Sequence, residues 1–223
     1  MWKKIIEAWK SDNLMDQSWQ RSFEMLQITH DMFIEAVKTL RESSDDNISA
    51  GIREKDKRIN SYQQEVRRNV MTHLAVQGVH DLPGGLILVS IVIDLERLGD
   101  YTKNIVDLNC YRSCGKMHGH KYEELLKSIE EAIARNFLQT LNCIKKSNPE
   151  QAAAVLEENE WVAGACEQAV RELVREKDES ISPGDAASLG IYVRYLKRIN
   201  AHLRNVTTSI VNPFDRIGFK IEK

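Results

Sequence analysis

Trp19, Phe23, Leu26, Phe33, Val37 and Leu40 recur at steps of four and three, with His30 filling the missing step. Apolar residues spaced this way share one face of a helix, and the polar residues between them give it a wet side. The pattern predicts a long first helix, closed by the Ser43–Asn47 polar cluster. Ile52, Ile59, Tyr62, Val66, Val70 and His73 predict a second helix, which the Leu82-Pro83-Gly84-Gly85 stretch interrupts. The run Leu86–Ile93 is rich in β-branched residues and, taken alone, reads as a buried strand. Ile91, Leu95, Leu98 and Ile105 continue it at helical spacing with no turn residue between, so the prediction is one long helix.

From Lys121 the plan begins again. Tyr122, Leu125, Ile129, Ile133, Phe137, Leu141 and Ile144 predict a helix that stops near Ser147-Asn148-Pro149. Val155, Val162, Cys166, Val170 and Leu173 predict the next, followed by a loop over 177–185. Leu189, Tyr192, Leu196, Ile199, Leu203, Val206 and Ile210 predict the last, in heptad spacing. Pro83-Gly84 recurs as Pro183-Gly184, and an offset of 101 residues pairs Leu95, Arg97 and Asn104 with Leu196, Arg198 and Asn205. The prediction is an all-α chain: two tandem three-helix repeats forming a six-helix bundle, over 14–114 and 121–223, after an N-terminal extension at 1–13.

Composition narrows the function. Lys plus Arg number 31 against 33 Asp plus Glu in 223 residues, which argues against a general nucleic-acid binder. The Leu86–Ile93 run is far short of the roughly 20 apolar residues that span a bilayer. Met1–Lys10 is broken by Lys3, Lys4 and Glu7 and does not read as a signal peptide. Its Trp2, Ile5, Ile6 and Trp9 would make a short amphipathic segment that caps the bundle end or rests on a membrane surface. Four cysteines do not make a disulfide scaffold, so a reducing cytoplasm is the expected compartment. Cys143 and Cys166 read as core residues, as do His30 and His73. There is no E-x-x-H, phosphate-loop or dinucleotide-binding motif, and nothing suggests a nucleophilic triad.

The candidate chemistry lies in the segment Asp94–Ile105. Glu96 and Asp100 lie four apart, on one helix face, with Asn104 a turn beyond. Like charges at that spacing repel, which a bound cation would relieve; the alternative is a solvated acidic stripe with Arg97 and Lys103 beside it. Cys110, Cys114, His118 and His120, in the link between the repeats, form a second candidate metal set of thiolates and imidazoles, although the spacing departs from ordinary zinc motifs.

Glu96-Arg97-Leu98-Gly99-Asp100 followed by Asn104-Ile105 resembles the signature helix of the PhoU family, regulators of phosphate uptake. Asp56-Lys57-Arg58-Ile59-Asn60 is similar to the family's other signature. The resemblance implies a six-helix PhoU-like bundle in a non-enzymatic regulator of phosphate uptake and phosphate-responsive signalling, acting by docking in the cytoplasm. It implies a metal site on Asp56, Asn60, Glu96 and Asp100 for a multinuclear iron or zinc cluster, with magnesium or manganese as alternatives. Its implied partners are a phosphate transporter ATPase subunit and a membrane sensor kinase, or a sodium–phosphate cotransporter. Peripheral membrane association and a homodimer are compatible with it; nucleic acid is not among its ligands.

The second repeat departs from the signature: Lys197, Asn200 and Ala201 stand where Glu96, Gly99 and Asp100 do, and Glu160 and Gly164 align with Asp56 and Asn60. Lysine repels a hard cation, so metal binding is expected in the first repeat alone. His202 is a substitute ligand or an ordinary residue of an amphipathic face. Two competing functions remain: a carboxylate-ligated metalloenzyme, and a metal-free helical partner of a cotransporter.

Overall fold

Helix ends, more than helix interiors, decide how this chain turns back on itself. The computed structural model describes residues 14–42, 46–111, 121–175 and 181–221. Among them lie α1 (Leu14–Glu42), α2 (Asp46–Gln77), α3 (Leu82–Tyr111), α4 (Glu123–Lys146), α5 (Pro149–Glu158), α6 (Trp161–Val174) and α7 (Pro183–Val211), with no strand. α2 stops at Gly78, whose φ of 83° suits a residue without Cβ, and whose N–H bonds to the Leu74 carbonyl. The Pro83-Gly84-Gly85 stretch is therefore the first turn of α3 rather than the break before it. α4 ends with Ser147 in the left-handed region, and α5 starts under an Asn148 cap that accepts from the Gln151 N–H at 2.9 Å. Ser182 caps α7 in the same way through the Asp185 N–H, which puts Asp185 inside the helix and not in the loop expected there.

The fifth predicted helix is two. Asn159 turns its side-chain amide onto the Val155 carbonyl at 2.9 Å, and the Glu160 N–H takes the Glu157 carbonyl. That local bonding competes with the helical ladder and breaks it between α5 and α6.

α1, α2 and α3 pack as one three-helix unit, while α4, the α5–α6 rod and α7 form the other. α3 lies against α7 and α1 against α4, so the central helices of the two units meet. Ile91, Leu95 and Leu98 of α3 are fully buried, as are Leu196, Ile199 and Leu203 of α7, and one core runs through both units. Burying each such side chain stabilises the fold by about 1.5–3 kcal/mol. This burial outweighs the strand propensity of Leu86–Ile93, which is helical throughout. The N-terminal 1–13 extension lies outside the described residues, and no described helix is long and apolar enough to cross a membrane.

Candidate functional site

Gly99 sets the geometry of the acidic cluster. A Cβ there would meet Ile59 Cδ1 at 3.0 Å and Asp56 Oδ1 at 3.6 Å, so the missing side chain lets α2 lie close against α3. The close approach brings Asp56 of α2 to the Glu96–Asp100 face of α3. Lys103 Nζ bridges the two helices, donating to Asp56 Oδ2 at 2.9 Å and Asp100 Oδ1 at 3.1 Å. Arg97 Nη1 donates to the other Asp100 oxygen at 2.7 Å, and its Nε stands 3.5 Å from Glu96 Oε2. Asn60 is half-buried one turn along α2 from Asp56. Three of the four expected ligands thus gather around two cationic side chains.

The electrostatics follow from that arrangement. Burial, and then the neighbouring Asp100 carboxylate, raise the Glu96 carboxyl above its ordinary value. Burial works to lower the Lys103 ammonium, but its hydrogen bonds and charge attraction to Asp56 and Asp100 outweigh it and hold Lys103 above its ordinary value. Lys103 is therefore charged at neutral pH. As a metal centre the set fits poorly: an ammonium fills the position between the two aspartates, and no group of three His, Cys, Asp or Glu among the described residues is arranged to hold an ion. The Cys110, Cys114, His118 and His120 set lies outside the described residues; only the backbone of Cys110, in the last turn of α3, is among them.

In the second unit Lys197 ion-pairs with Glu167 of α6. Asn200, at the position of Gly99, is buried and accepts from Asn136 Nδ2 of α4 at 3.1 Å. Ala201 stands in place of Asp100 and brings no donor.

A comparison of the chain with known families matches residues 23–108 to the PhoU domain. These residues hold Asp56, Asn60, Glu96, Asp100 and Lys103, and α3 almost to its end. Residues 23–108 carry a PhoU domain. A curated relative, the phosphate-specific transport system accessory protein PhoU homolog of Clostridium acetobutylicum, is 26% identical over 177 residues, covering 76% of this chain and 78% of the relative. The fold is also that of solved PhoU structures. The phosphate transport system regulatory protein PhoU of Streptococcus pneumoniae superposes with a TM-score of 0.76 at 18% identity, over 88% of this chain and 92% of that one. PhoU of Pseudomonas aeruginosa gives 0.77 at 21%, over 88% and 95%.

The PhoU domain is fastened to the second unit by two polar junctions that sequence reasoning missed. At the first, Asp94 of α3 accepts from Asn205 Nδ2 at 2.8 Å and lies 2.7 Å from His202 Nδ1, both on α7. Tyr101 stacks on the His202 ring at 5.6 Å, and Arg198 Nε donates to the Tyr101 hydroxyl. His202 is thus a buried residue of the α7 face that meets α3, bonded to Asp94. The offset of 101 that relates the halves turns the Asp94–His202 contact into Tyr195–Tyr101, which is also made, with ring centroids 5.9 Å apart. At the second junction Arg41 of α1 reaches Glu130 of α4 at 2.7 Å, and the Tyr192 hydroxyl of α7 donates to the same carboxylate at 2.6 Å. The signal for both was a carboxylate beside a core position, Asp94 before Leu95 and Glu130 after Ile129.

His73 is buried and bonds Asp81 at 2.7 Å, while the half-buried His30 sits edge-on to Phe137. Cys143 and Cys166 are free and buried, and burial pushes the Cys166 thiol to about 12, far from a nucleophilic thiolate.

Proposed function

We propose that this chain regulates phosphate uptake and phosphate-responsive signalling by docking onto a component of a phosphate transport system, without catalysing a reaction. The observation that carries the reading is the PhoU domain at 23–108, supported by similarity along three quarters of the chain to a protein named as a transport-system accessory. The chemistry of the cluster agrees with docking. Its carboxylates are paired with Arg97 and Lys103, so the PhoU domain offers a charged face more readily than a reactive centre. Arg97, with half its side-chain surface exposed, is the side chain of this cluster most open to a partner. A partner of this reading is the ATPase subunit of a phosphate transporter or a membrane sensor kinase, met from the cytoplasmic side. Deleting the gene and measuring phosphate uptake and the starvation response tests it: altered uptake at high external phosphate is expected, and unchanged uptake with an unchanged starvation response would overturn it. Affinity capture of the full chain from native membranes separates the partners, since recovery of a sodium–phosphate cotransporter in place of the ATPase or kinase would redirect the proposal.

A further inference from the structure

The disagreement between the acidic cluster and a metal centre has a specific physical cause. Asp56, Glu96 and Asp100 are three carboxylates on the α2–α3 face, and Arg97 and Lys103 are the cations placed among them. Lys103 lies where the carboxylates of two different helices converge: its ammonium bonds one oxygen of Asp56 and one of Asp100, and three-quarters of its side chain is shielded from solvent. Arg97 holds the second Asp100 oxygen. A divalent ion entering between the helices would have to displace an ammonium already bonded to both of its prospective aspartate ligands. The second unit repeats the device at another register, with Lys197 of α7 tied to Glu167 of α6. In both units a lysine of the central helix supplies a cation that joins it to the middle helix, and in the first unit Arg53 of α2 adds a second tie to Asp107 of α3.

We infer that Lys103 is the resident cation of this acidic face, and that it excludes divalent metal from Asp56, Glu96 and Asp100. Removing its charge opens the position to an oxygen-preferring ion. The inference concerns the cluster alone and stands or falls apart from the docking role.

The test uses the purified full chain and Mn²⁺ as probe, followed by removal of free ion, elemental analysis and thermal melting. Wild type is expected to retain background manganese and to melt at the same temperature with and without Mn²⁺. Lys103→Ala is expected to retain about one ion per chain and to melt higher when Mn²⁺ is present. Lys103→Ala/Asp100→Ala should lose that ion, and Lys103→Arg, which keeps the charge, should stay at background. Should Lys103→Ala not fold, Lys103→Gln keeps most of the stem without the charge. Stoichiometric metal in wild type that disappears in Asp100→Ala would overturn the inference. So would uptake by Lys103→Arg equal to that of Lys103→Ala, or no gain in any uncharged Lys103 variant.

Discussion

The contact of α2 with α3 and the surroundings of α7 in the second unit follow one helical plan and solve its polar problem differently. In the first unit Gly99 draws the helices together, and Asp56, Glu96 and Asp100 are balanced by Arg97 and Lys103. In the second, Asn200 replaces that glycine, and the buried contacts beside it are neutral, Asn136 bonding Asn200 and Thr140 bonding Thr207 at 2.9 Å, while the buried Glu130 is held by Arg41 of α1 and by Tyr192. One surface ion pair, Lys197–Glu167, joins α6 to α7. The charged half is also the half that matches the PhoU domain, which ends at residue 108. Three clustered carboxylates are a feature of the first unit; at the corresponding contact of α6 with α7 the second unit has one, Glu167.

The largest expected effect tests whether the two halves are separable. Arg41→Ala leaves Glu130 buried against Tyr192 without its cation and should cost about 3–5 kcal/mol in urea unfolding, with a single transition because one core spans both units. Two well-separated transitions would show units that fold independently. Burial raises the Glu130 carboxyl above its ordinary value, so the folded chain binds this proton more tightly than the unfolded one. Its contribution to stability therefore falls as pH rises from the ordinary carboxylate value to the raised one, and is most favourable below both. Glu130→Gln should flatten that part of the stability–pH curve; an unchanged curve would place the proton elsewhere.

Within the units the neutral pair should outweigh the charged one. Asn200→Ala strands the buried Asn136 amide and should cost about 1–3 kcal/mol, whereas Asp100→Ala, at a partly exposed ion pair, should cost about 0–1 kcal/mol. The reverse order would make the acidic cluster a stability element and weaken its functional reading. The smallest effect compares two helical glycines. Gly164→Ala adds a methyl with nothing within 4 Å and should stabilise by about 0.5–1 kcal/mol. Gly99→Ala gains the same propensity but presses on Ile59, so its melting temperature should rise less than that of Gly164→Ala or fall.

Much of this was legible in the residues because burial on one helix face leaves a periodic trace. The spacing of Trp19 to Leu40, Ile52 to His73 and Leu189 to Ile210 places their helices, and Glu96 and Asp100 share a face as their spacing requires. The break at Asn159 was not legible, since it depends on one side-chain amide turning back on the Val155 carbonyl, while the apolar period continues past it. The partners of Lys103 were hidden for a related reason. Sequence spacing shows Asp100 beside Lys103 on α3, but not that Gly99 brings Asp56 from α2 to the same ammonium. The roles of Asp94 and Glu130 were hidden because their partners, His202, Asn205, Arg41 and Tyr192, are far away in the chain.

The claim that the charged face of the PhoU domain is where the partner docks is tested most directly at Arg97, whose guanidinium is half exposed. A gene-deletion strain would be complemented with wild type, Arg97→Glu or Lys197→Ala, and phosphate uptake measured at high and low external phosphate alongside the melting temperature of each purified chain. The account predicts that Arg97→Glu melts within a few degrees of wild type, as expected for surface ion pairs worth about 0–1 kcal/mol, yet leaves uptake as in the deletion, while Lys197→Ala restores control. Full restoration of phosphate control by a folded Arg97→Glu chain would contradict it.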